Sequence, residues 1–360
     1  MRAALALARR GLGRTWPNPT VGCVLVHEGR VVGRGFTQPG GRPHAEVEAL
    51  RMAGDAARGS TAYVTLEPCS HHGRTPPCAE ALVNAGIARA VVALQDPDLR
   101  VAGRGNAVLQ AAGIAVAAGL CEVEAREINA GFFSRIANGR PLVTAKAATG
   151  LDGRIATHRG ESRWITGPAA RARAHLLRAT HDAVMLGIGT AAIDDPQLTV
   201  RLPGLAAASP VRIVVDARLR LPLTHQLVRT AKEIPTWIIT SDEADAGRVA
   251  ALAECGVEVI AVARDPEGEY PDLRAALQAL GQRGLTRVLV EGGGHLLAAM
   301  LRAQLVDRLV WFRAGMMIGG DGVPVAVAFG VDKLDEAPRF VRQSVEPCGD
   351  DMVETWARPA

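Results

Sequence analysis

Apolar and polar positions alternate in two short runs near the N-terminus, within the stretch TVGCVLVHEGRVVGRGFT that begins at Thr20. Alternation with a period of two is typical of strands, and the glycine of HEGR suits the turn between them. The next stretch, AEVEALRMAG, is apolar at Val47, Leu50 and Met52 or Ala53, which is the spacing of one helical face. These patterns predict a β-hairpin followed by an amphipathic helix that ends at Gly54.

Strand-like and helix-like patterns continue to alternate through the first 120 residues. The strand-like runs are STAYVTLEP, RAVVAL and IAVAAGL, and the helix-like runs are CAEALVNAGI and NAVLQAAG. The segment QDPDLRVAGRG has the composition of a loop. This alternation predicts an α/β sandwich with helices on both faces of a mixed sheet.

A second α/β pattern starts after the segment GFFSRIANGRPLVT, which contains two glycines and a proline. The strand-like runs there are PLVTAKAA, HDAVMLG, VRIVVD, PTWIIT, VEVIAVA, TRVLVEGG and DRLVWFRA, with helix-like PDLRAALQALGQ and HLLAAMLRA among them. We place a boundary near residue 140 and predict two domains, 1–140 and 141–360. The length of 360 residues agrees, because one hydrophobic core rarely organises so long a chain.

Composition and charge limit the classes of partner. The chain is 48% hydrophobic and 22% charged, and its apolar runs have the length of strands, so we expect a globular protein without a membrane span. The N-terminal MRAALALARRGLGRTW has the pattern of a first helix rather than of a signal peptide, which predicts a cytoplasmic protein. The net charge of +4 comes from 41 basic and 37 acidic residues, and aromatic residues make up 4% of the chain. This mixture argues against a nucleic-acid groove and favours a small-molecule partner.

Two short motifs carry the strongest chemical signal. The motif HAE contains His44 and Glu46, and PCSHHGRTPPC contains Cys69 and Cys78; together they fit the zinc deaminase pattern H-x-E…P-C-x-x-C except in the cysteine spacing. One nitrogen and two sulfur ligands leave the fourth position of a catalytic zinc free for water, whose pKa the metal lowers to about 7. Glu46 would take the proton of that water and deliver it to a departing amine. Six cysteines in 360 residues are too few for a disulfide scaffold, which also favours thiolate chemistry.

Two alternatives remain for this cluster, a structural zinc site closed by His71 or His72, and no metal at all. A structural site has no use for a carboxylate two residues from its histidine, so the catalytic interpretation is favoured. Eight residues, SHHGRTPP, separate the cysteines instead of two. Such an insertion would place His71, His72 and Arg74 on a loop at the mouth of the pocket, where a cation can meet a phosphate. The sequence thus favours a phosphorylated small substrate over a base within a nucleic acid.

A glycine run marks the second half. In TRVLVEGGGHLLAAML an apolar strand leads into Gly292, Gly293 and Gly294 and then into a helix. Backbone amides and a helix N-terminus can together bind an anion, although a tight turn also needs glycine. The full G-x-G-x-x-G spacing is missing, so a Rossmann fold is not predicted.

With these motifs in place, the chain resembles the family of bifunctional riboflavin-biosynthesis deaminase/reductases. The resemblance runs from Trp16 to at least Gly294 and also includes PNPTVGCVLV, QDPD, VAGRG, LDGRIAT, GESRWIT and DDPQLTVR. It implies a cytidine-deaminase-like N-terminal domain that hydrolyses an amino group from a diaminopyrimidinone carrying a ribosylamino 5′-phosphate. It also implies a dihydrofolate-reductase-like C-terminal domain that uses NADPH to reduce the ribose of the product to a ribityl chain. A homodimer or homotetramer is expected on the same basis.

The resemblance also implies site residues. The deaminase pocket would be lined by Asn18, His71, Arg74 and Asp96. The dinucleotide would contact Ala148, Trp164, Thr190, Asp194, Gly293, Gly294, His295, Leu296, Leu297, Ala298 and Ala299. The substrate of the reductase would be held by Ser162, Arg178, Leu198, Arg201 and Glu291, with the two arginines suited to its 5′-phosphate. Lys146 and Asp194 are candidates for supporting the proton balance of the reduction.

Ordinary structural roles are open for several of these residues. Asn18 could be a turn residue, Asp96 a loop cap and Trp164 part of the core, while Arg178 could lie on a solvated helix face and Asp194 in a loop. The chain departs from the family at Gly150, where Ser or Thr commonly precedes LDG, and at Ala217, where Ser commonly follows the strand aspartate. Two rival functions are also open, a deaminase of tRNA or free nucleosides fused to another domain, and a zinc-stabilised nucleotide sensor without turnover.

Overall fold

The structure, a computed structural model, describes residues 1–72, 76–98, 102–265 and 270–359. It divides into two compact units, Met1–Gly139 and Arg140–Ala360. One predicted site residue, Arg74, lies outside the described residues. Within the described ranges, no helix has both the length and the apolar character needed to cross a membrane.

The first unit is built on a five-stranded sheet of order β2-β1-β3-β4-β5. Its strands are β1 (Gly22–His27), β2 (Arg30–Phe36), β3 (Thr61–Val64), β4 (Arg89–Val92) and β5 (Ala115–Ala118). Its helices are α1 (Arg2–Ala8), α2 (Ala45–Ala53), α3 (Cys78–Asn84), α4 (Arg104–Ala111), α5 (Glu122–Ile128) and α6 (Ala130–Asn138). β1 pairs antiparallel with β2 and β3, whereas β3, β4 and β5 run parallel, so the predicted mixed α/β sheet is confirmed.

Two glycines of β2 bring α2 close to the sheet. A Cβ atom at Gly33 would lie 2.2 Å from the carbonyl oxygen of Ala49, and one at Gly35 would lie 2.3 Å from that of Ala45. Only glycine permits so close an approach of helix to strand. Because His44 and Glu46 stand at the start of α2, this packing fixes their distance from the sheet.

A buried asparagine ties the end of the first unit to its sheet. Asn129, between α5 and α6, accepts a hydrogen bond from the backbone N–H of Thr20 at 2.9 Å and donates one to the Thr20 carbonyl at 3.0 Å. Both residues are buried, so the pair holds α6 beside the segment that leads into β1. The sequence pattern does not predict α6, because the two glycines and the proline of GFFSRIANGRPLVT indicate a domain boundary. In the structure Gly139 ends α6 in the left-handed conformation, a common helix C-terminus.

The second unit contains a nine-stranded sheet of order β11-β10-β9-β8-β12-β6-β13-β16-β15. Its strands are β6 (Leu142–Thr149), β8 (Ala183–Gly187), β9 (Val211–Val215), β10 (Thr236–Ser241), β11 (Glu258–Val262), β12 (Arg287–Glu291), β13 (Arg308–Arg313), β15 (Val341–Cys348) and β16 (Asp351–Ala357). A separate two-stranded sheet joins β7 (Arg154–Ala156) and β14 (Val323–Pro324). The helices are α7 (Pro168–Ala179), α8 (Ile188–Asp194), α9 (Gln226–Arg229), α10 (Ala246–Glu254), α11 (Leu273–Gln282) and α12 (Gly294–Arg302).

Parallel pairing in this sheet extends from β11 to β13, and β16 and β15 complete it in antiparallel fashion. The seven parallel strands correspond to the seven strand-like runs of the second half, which confirms an α/β fold there. The hairpin β15–β16 was not predicted, because β15 is mostly exposed and carries little apolar periodicity. The helix α7 was missed as well, since alanines and arginines dominate its sequence.

Candidate active sites

Three potential metal ligands converge at the N-terminal ends of α2 and α3. His44 directly precedes α2, Cys69 lies in the loop after β3, and Cys78 is the first residue of α3. The Nδ1 atom of His44 lies 3.3 Å from Cys78 Sγ and 3.7 Å from Cys69 Sγ. One ligand atom from each of the three residues falls within 4.8 Å of the other two.

This donor set fits zinc. A tetrahedral zinc with Zn–S near 2.3 Å and Zn–N near 2.1 Å places its ligand atoms about 3.6–3.8 Å apart, close to the spacing found here. Among the described residues the cluster has three members, which leaves a coordination position for water. His72, an alternative fourth ligand, instead has its Nε2 atom 3.4 Å from a carboxylate oxygen of Glu80. The geometry therefore agrees with an open, catalytic type of site.

Electrostatics in the cluster favour the thiolate form of Cys69, whereas the hydrogen bond with Cys69 and burial raise the pKa of Cys78. A hydrogen bond with the Cys78 side chain is the largest influence that lowers the pKa of Cys69, which falls to about 4. His44 lowers this pKa further, and the backbone N–H of Cys78 donates to Cys69 Sγ at 3.3 Å. Thiolate is the form of cysteine that binds metals, so the first turn of α3 prepares Cys69 for this role.

Glu46 occupies the second position of α2 and is only 3% exposed. Burial raises the pKa of its carboxyl group to about 7, although the nearby His44 acts in the opposite direction. A carboxylate that exchanges its proton near neutral pH is suited to general acid–base catalysis. The H-x-E spacing thus puts a proton carrier beside the three ligands, on the same helix start.

A cavity of about 280 Å³ adjoins the cluster. It is lined by the predicted residues His44, Glu46, Cys69, Asn18, His71 and Asp96. Six residues that the sequence motifs do not indicate also line it, namely Arg42, Glu67, Asp98, Phe132, Arg135 and Ile136. Positions 132, 135 and 136 have the i, i+3, i+4 spacing of one helical face. This spacing indicates a shared surface only if residues 130–138 are recognised as a helix.

Asn18 and Asp96 each have a structural contact in addition to their place in the cavity. The Nδ2 atom of Asn18 donates to the carbonyl of Gly41 at 2.9 Å, and Asp96 Oδ1 accepts from the backbone N–H of Asp98 at 2.9 Å. Burial raises the pKa of Asp96 to about 6. The turn and loop-cap interpretations therefore describe part of their role, and both side chains still face the cavity.

The second unit has a smaller cavity, of about 120 Å³, at the carboxyl end of β12. It is lined by Ala145, Lys146, Ala147, Ala148, Ile155, Val290, Gly292, Gly293, Leu297 and Val325. Three of the predicted dinucleotide residues, Ala148, Gly293 and Leu297, thus share one space with Lys146. Burial lowers the pKa of Lys146, with Glu291 acting against this and Arg178 in its favour.

Gly292, Gly293 and Gly294 form a space, called the glycine cradle below, that larger side chains would fill. Gly292 and Gly293 have φ angles of 79° and 83°, and a Cβ atom at Gly293 would lie 3.0 Å from Thr190 Oγ1. The next residue, Gly294, begins α12. Backbone amides at the start of a helix, next to a hydroxyl group and free of side chains, suit a phosphate-containing ligand.

Arg178 and Glu291 form a partly buried ion pair. Arg178 donates from Nε and Nη2 to the two carboxylate oxygens of Glu291, at 2.7 Å each, and from Nη1 to the carbonyl of Thr199 at 3.0 Å. Their side chains are 15% and 10% exposed, so the solvated-face interpretation of Arg178 is wrong. Burial alone would raise the pKa of Glu291, but Arg178 and Lys146 hold it below its usual value.

Other predicted residues of the second unit do not line this cavity. Trp164 is 67% exposed, with the Arg171 guanidinium 4.6 Å from its ring centroid, so the core interpretation of Trp164 is wrong. Ser162 and Asp194 are exposed, and Leu198 is buried with a φ of 55°. The backbone N–H of Arg201 donates a hydrogen bond to the Nδ1 atom of His175 at 3.3 Å. The remaining predicted residues, His295, Leu296, Ala298 and Ala299, lie in α12.

The two departures have defined surroundings. A Cβ atom at Gly150 would lie 2.7 Å from the carbonyl oxygen of Met316 and 2.9 Å from Asp152 Oδ1. The carbonyl of Ala217 accepts hydrogen bonds from the hydroxyl groups of Thr240 at 3.0 Å and Ser241 at 3.2 Å. Hydroxyl groups are therefore present beside position 217 even though the residue itself has none.

Comparison with protein families matches both halves of the chain. Residues 1–94 match the cytidine and deoxycytidylate deaminase zinc-binding region, and residues 141–353 match the RibD C-terminal domain. The first match contains all three ligands and Glu46. The second contains the cavity at the glycine run.

Similar proteins extend over nearly the whole chain. The riboflavin biosynthesis protein RibD of Escherichia coli K12 is 42% identical, over 98% of this chain and 96% of its own length. A structure of Acinetobacter baumannii RibD superposes with a TM-score of 0.89 at 39% identity, covering 100% of this chain and 98% of that one. The diaminohydroxyphosphoribosylaminopyrimidine deaminase/5-amino-6-(5-phosphoribosylamino)uracil reductase of Thermotoga maritima has a TM-score of 0.86 at 32% identity, with coverage of 100% and 97%.

Proposed function

The chain belongs to the family of RibD riboflavin biosynthesis proteins, and we infer from this membership that it is a bifunctional deaminase and reductase of riboflavin biosynthesis. The reaction we propose is hydrolytic deamination of 2,5-diamino-6-(5-phosphoribosylamino)pyrimidin-4(3H)-one, followed by reduction of the ribosyl chain of 5-amino-6-(5-phosphoribosylamino)uracil with NADPH. The observation that carries the first step is the three-ligand cluster with a buried carboxylate beside it.

In the deaminase unit, His44, Cys69 and Cys78 would hold zinc. Zinc bound there supplies an activated water for attack on the carbon that carries the amino group. Glu46 accepts a proton from the attacking water and delivers it to the departing amine, for which a pKa of about 7 is well matched. Asn18 and Asp96 hydrogen-bond the pyrimidine, and His71 meets the phosphorylated sugar. Arg74, which lies outside the described residues, is proposed as a second contact of that sugar on the basis of the family resemblance.

In the reductase unit, the glycine cradle and the start of α12 would hold the NADPH phosphates, with Ala148 and Thr190 beside them. NADPH supplies the hydride that reduces the opened sugar carbon. Alignment of that carbon is the main requirement, so no nucleophile of the chain takes part. Arg178 orients the carboxylate of Glu291, and Glu291 holds the substrate. Arg201 meets the 5′-phosphate. Lys146 lines the cavity and is the candidate that supplies the proton.

Three further proposals concern the setting of the reaction. The partner is a phosphorylated pyrimidine and not a nucleic acid or a membrane, the assembly is a homodimer or homotetramer, and the location is cytoplasmic. The rival functions, a tRNA deaminase with an unrelated second domain and a nucleotide sensor without turnover, are disfavoured because the relatives extend over both units.

One assay tests both halves. Purified protein with zinc, NADPH and the diaminopyrimidinone phosphate should release ammonia and then oxidise NADPH. Ammonia release with unused NADPH would contradict the reductase assignment. Binding of the substrate without ammonia release would contradict the deaminase assignment and favour the sensor.

A further inference from the structure

Glu67 is a buried carboxylate that the proposed chemistry does not use. It is 3% exposed, lines the same cavity as the ligands His44 and Cys69, and stands two residues before Cys69. A buried carboxylate without a role would be costly to retain, because its oxygens need partners in place of water. Its hydrogen bonds therefore indicate what it does.

The carboxylate of Glu67 accepts hydrogen bonds from three backbone N–H groups, all between residues 96 and 106. Its Oε2 atom accepts from Asp96 N at 3.3 Å and from Gly103 N at 2.9 Å, and its Oε1 atom accepts from Asn106 N at 3.1 Å. The backbone N–H of Glu67 also donates to the carbonyl of Leu94 at 2.9 Å. One residue thus fixes both ends of the segment that carries Asp96.

Two of these amides belong to the N-terminus of α4. Gly103 is the N-cap residue of this helix and has no side chain with which to cap it, so the carboxylate of Glu67 takes that place. A negative charge at a helix N-terminus is favourable. Packing supports the same junction, since a Cβ atom at Gly105 would lie 1.9 Å from the carbonyl oxygen of Pro68. The start of α4 is therefore docked directly on the Glu67–Pro68–Cys69 segment.

We propose that Glu67 is a positioning residue that sets the distance between the zinc ligand Cys69 and the substrate-binding residue Asp96. The proposal rests on the proposed deaminase function, in which Asp96 contacts the pyrimidine. The segment with Cys69 holds the metal, the segment with Asp96 holds the substrate, and the carboxylate of Glu67 joins the two. A displacement of about 1 Å at such a junction can cost up to about 100-fold in rate.

The first test is kinetic. Glu67→Gln keeps the shape of the side chain but replaces one acceptor oxygen with an amide group, which cannot accept a backbone N–H. We expect KM for the diaminopyrimidinone phosphate to rise by about 10-fold or more, with a smaller fall in kcat and one zinc still bound per chain. The matched control is Glu122→Gln, which breaks a surface pair with Arg126 and should leave KM unchanged.

The second test asks whether Glu67 acts through Asp96. In an Asp96→Asn background, Glu67→Gln should raise KM much less than it does in the wild type, because contacting residues are not additive. Gly105→Ala disturbs the same junction without removing a charge, and it should likewise raise KM less in the Asp96→Asn background than in the wild type. It replaces Glu67→Gln in this test if Glu67→Gln does not fold. Equal effects of Glu67→Gln in both backgrounds, an unchanged KM, or loss of zinc from the variant would overturn the proposal.

Wild-type activity separates this inference from the proposed function. If the wild-type protein releases no ammonia from the phosphorylated pyrimidine, the deaminase assignment fails. If it does so and Glu67→Gln is unaffected, only the positioning role fails. NADPH oxidation with the deaminated substrate should be equal in wild type and variants, which shows that the second unit is intact.

Discussion

Arg178 binds Glu291 through two parallel hydrogen bonds of 2.7 Å, one to each carboxylate oxygen. Both residues come from positions that the resemblance assigns to substrate binding. The guanidinium group of Arg178 donates to this carboxylate and to the carbonyl of Thr199, and we propose that Arg178 orients Glu291. Glu291, at the end of β12, directly precedes the glycine cradle.

Breaking this pair from one side should destabilise the second unit. Glu291→Ala leaves the Arg178 charge without its partner in a mostly buried position, and loss of about 3–5 kcal/mol is typical of such changes. Arg178→Lys keeps the charge but loses the bidentate geometry, so we expect a smaller loss of stability and a raised KM for the reductase substrate. Calorimetry and NADPH oxidation measure the two effects. An Arg178→Lys variant with unchanged KM would show that the orientation of Glu291 is unimportant for the substrate.

Glu46→Gln should abolish ammonia release while zinc remains bound. The amide has nearly the same shape as the carboxylate but cannot carry the proton from water to the leaving amine, and general acid–base catalysis typically contributes about 100- to 10,000-fold. Metal analysis and an ammonia assay check the two parts of this prediction. Glu48→Gln, on the same helix and paired with Arg51, is the control. Retention of full deaminase activity by Glu46→Gln would exclude the role assigned to Glu46.

Asp96→Asn should stabilise the first unit above pH 6 and weaken substrate binding. The pKa of Asp96 is about 6 in the folded protein and near 3.9 in an unfolded chain, so the folded state binds the proton more tightly. Ionisation of Asp96 at higher pH therefore costs stability, by about 1–2 kcal/mol after allowance for solvent screening. The cost disappears as the pH falls through 6 towards 4.

Calorimetry of the zinc-loaded protein can measure this difference. The transition of the first unit should rise by a few degrees in Asp96→Asn at pH 8, and the gap to wild type should narrow at pH 5. Asp55→Asn, at an exposed position, is the control. A gap that widens as the pH falls would mean that Asp96 is stabilised in its ionised form, contrary to the effect of its burial.

The sequence allowed the fold class and the zinc cluster to be predicted for clear physical reasons. Strand periodicity and the H-x-E and Cys motifs are local patterns, and residues 44, 46, 69 and 78 lie at two helix starts and in one loop. The wall formed by Phe132, Arg135 and Ile136 could not be predicted, because its helix was not recognised and its place depends on the contact between Asn129 and Thr20. The hydrogen bonds of Glu67 connect positions 29 to 39 residues away, and no local pattern encodes them.

Gly150 is best explained by space rather than by a missing hydroxyl group. The N–H of Leu151 donates to the carbonyl of Met316 at 2.7 Å, and a Cβ atom at Gly150 would lie at the same distance from that oxygen.

Gly150→Ser, which restores the residue type common in the family, should therefore displace the segment of Met316. We expect it to destabilise the second unit by about 1–3 kcal/mol, as overpacking does, and to raise KM for NADPH. Gly150→Ala should have the same effect, because the Cβ atom is the cause. Gly315→Ala is the nearby control, because no atom of the described residues other than its chain neighbours lies within 4 Å of the added carbon. If Gly150→Ser lowers KM for NADPH while Gly150→Ala does not, the hydroxyl group matters and the close approach to Met316 relaxes at little cost.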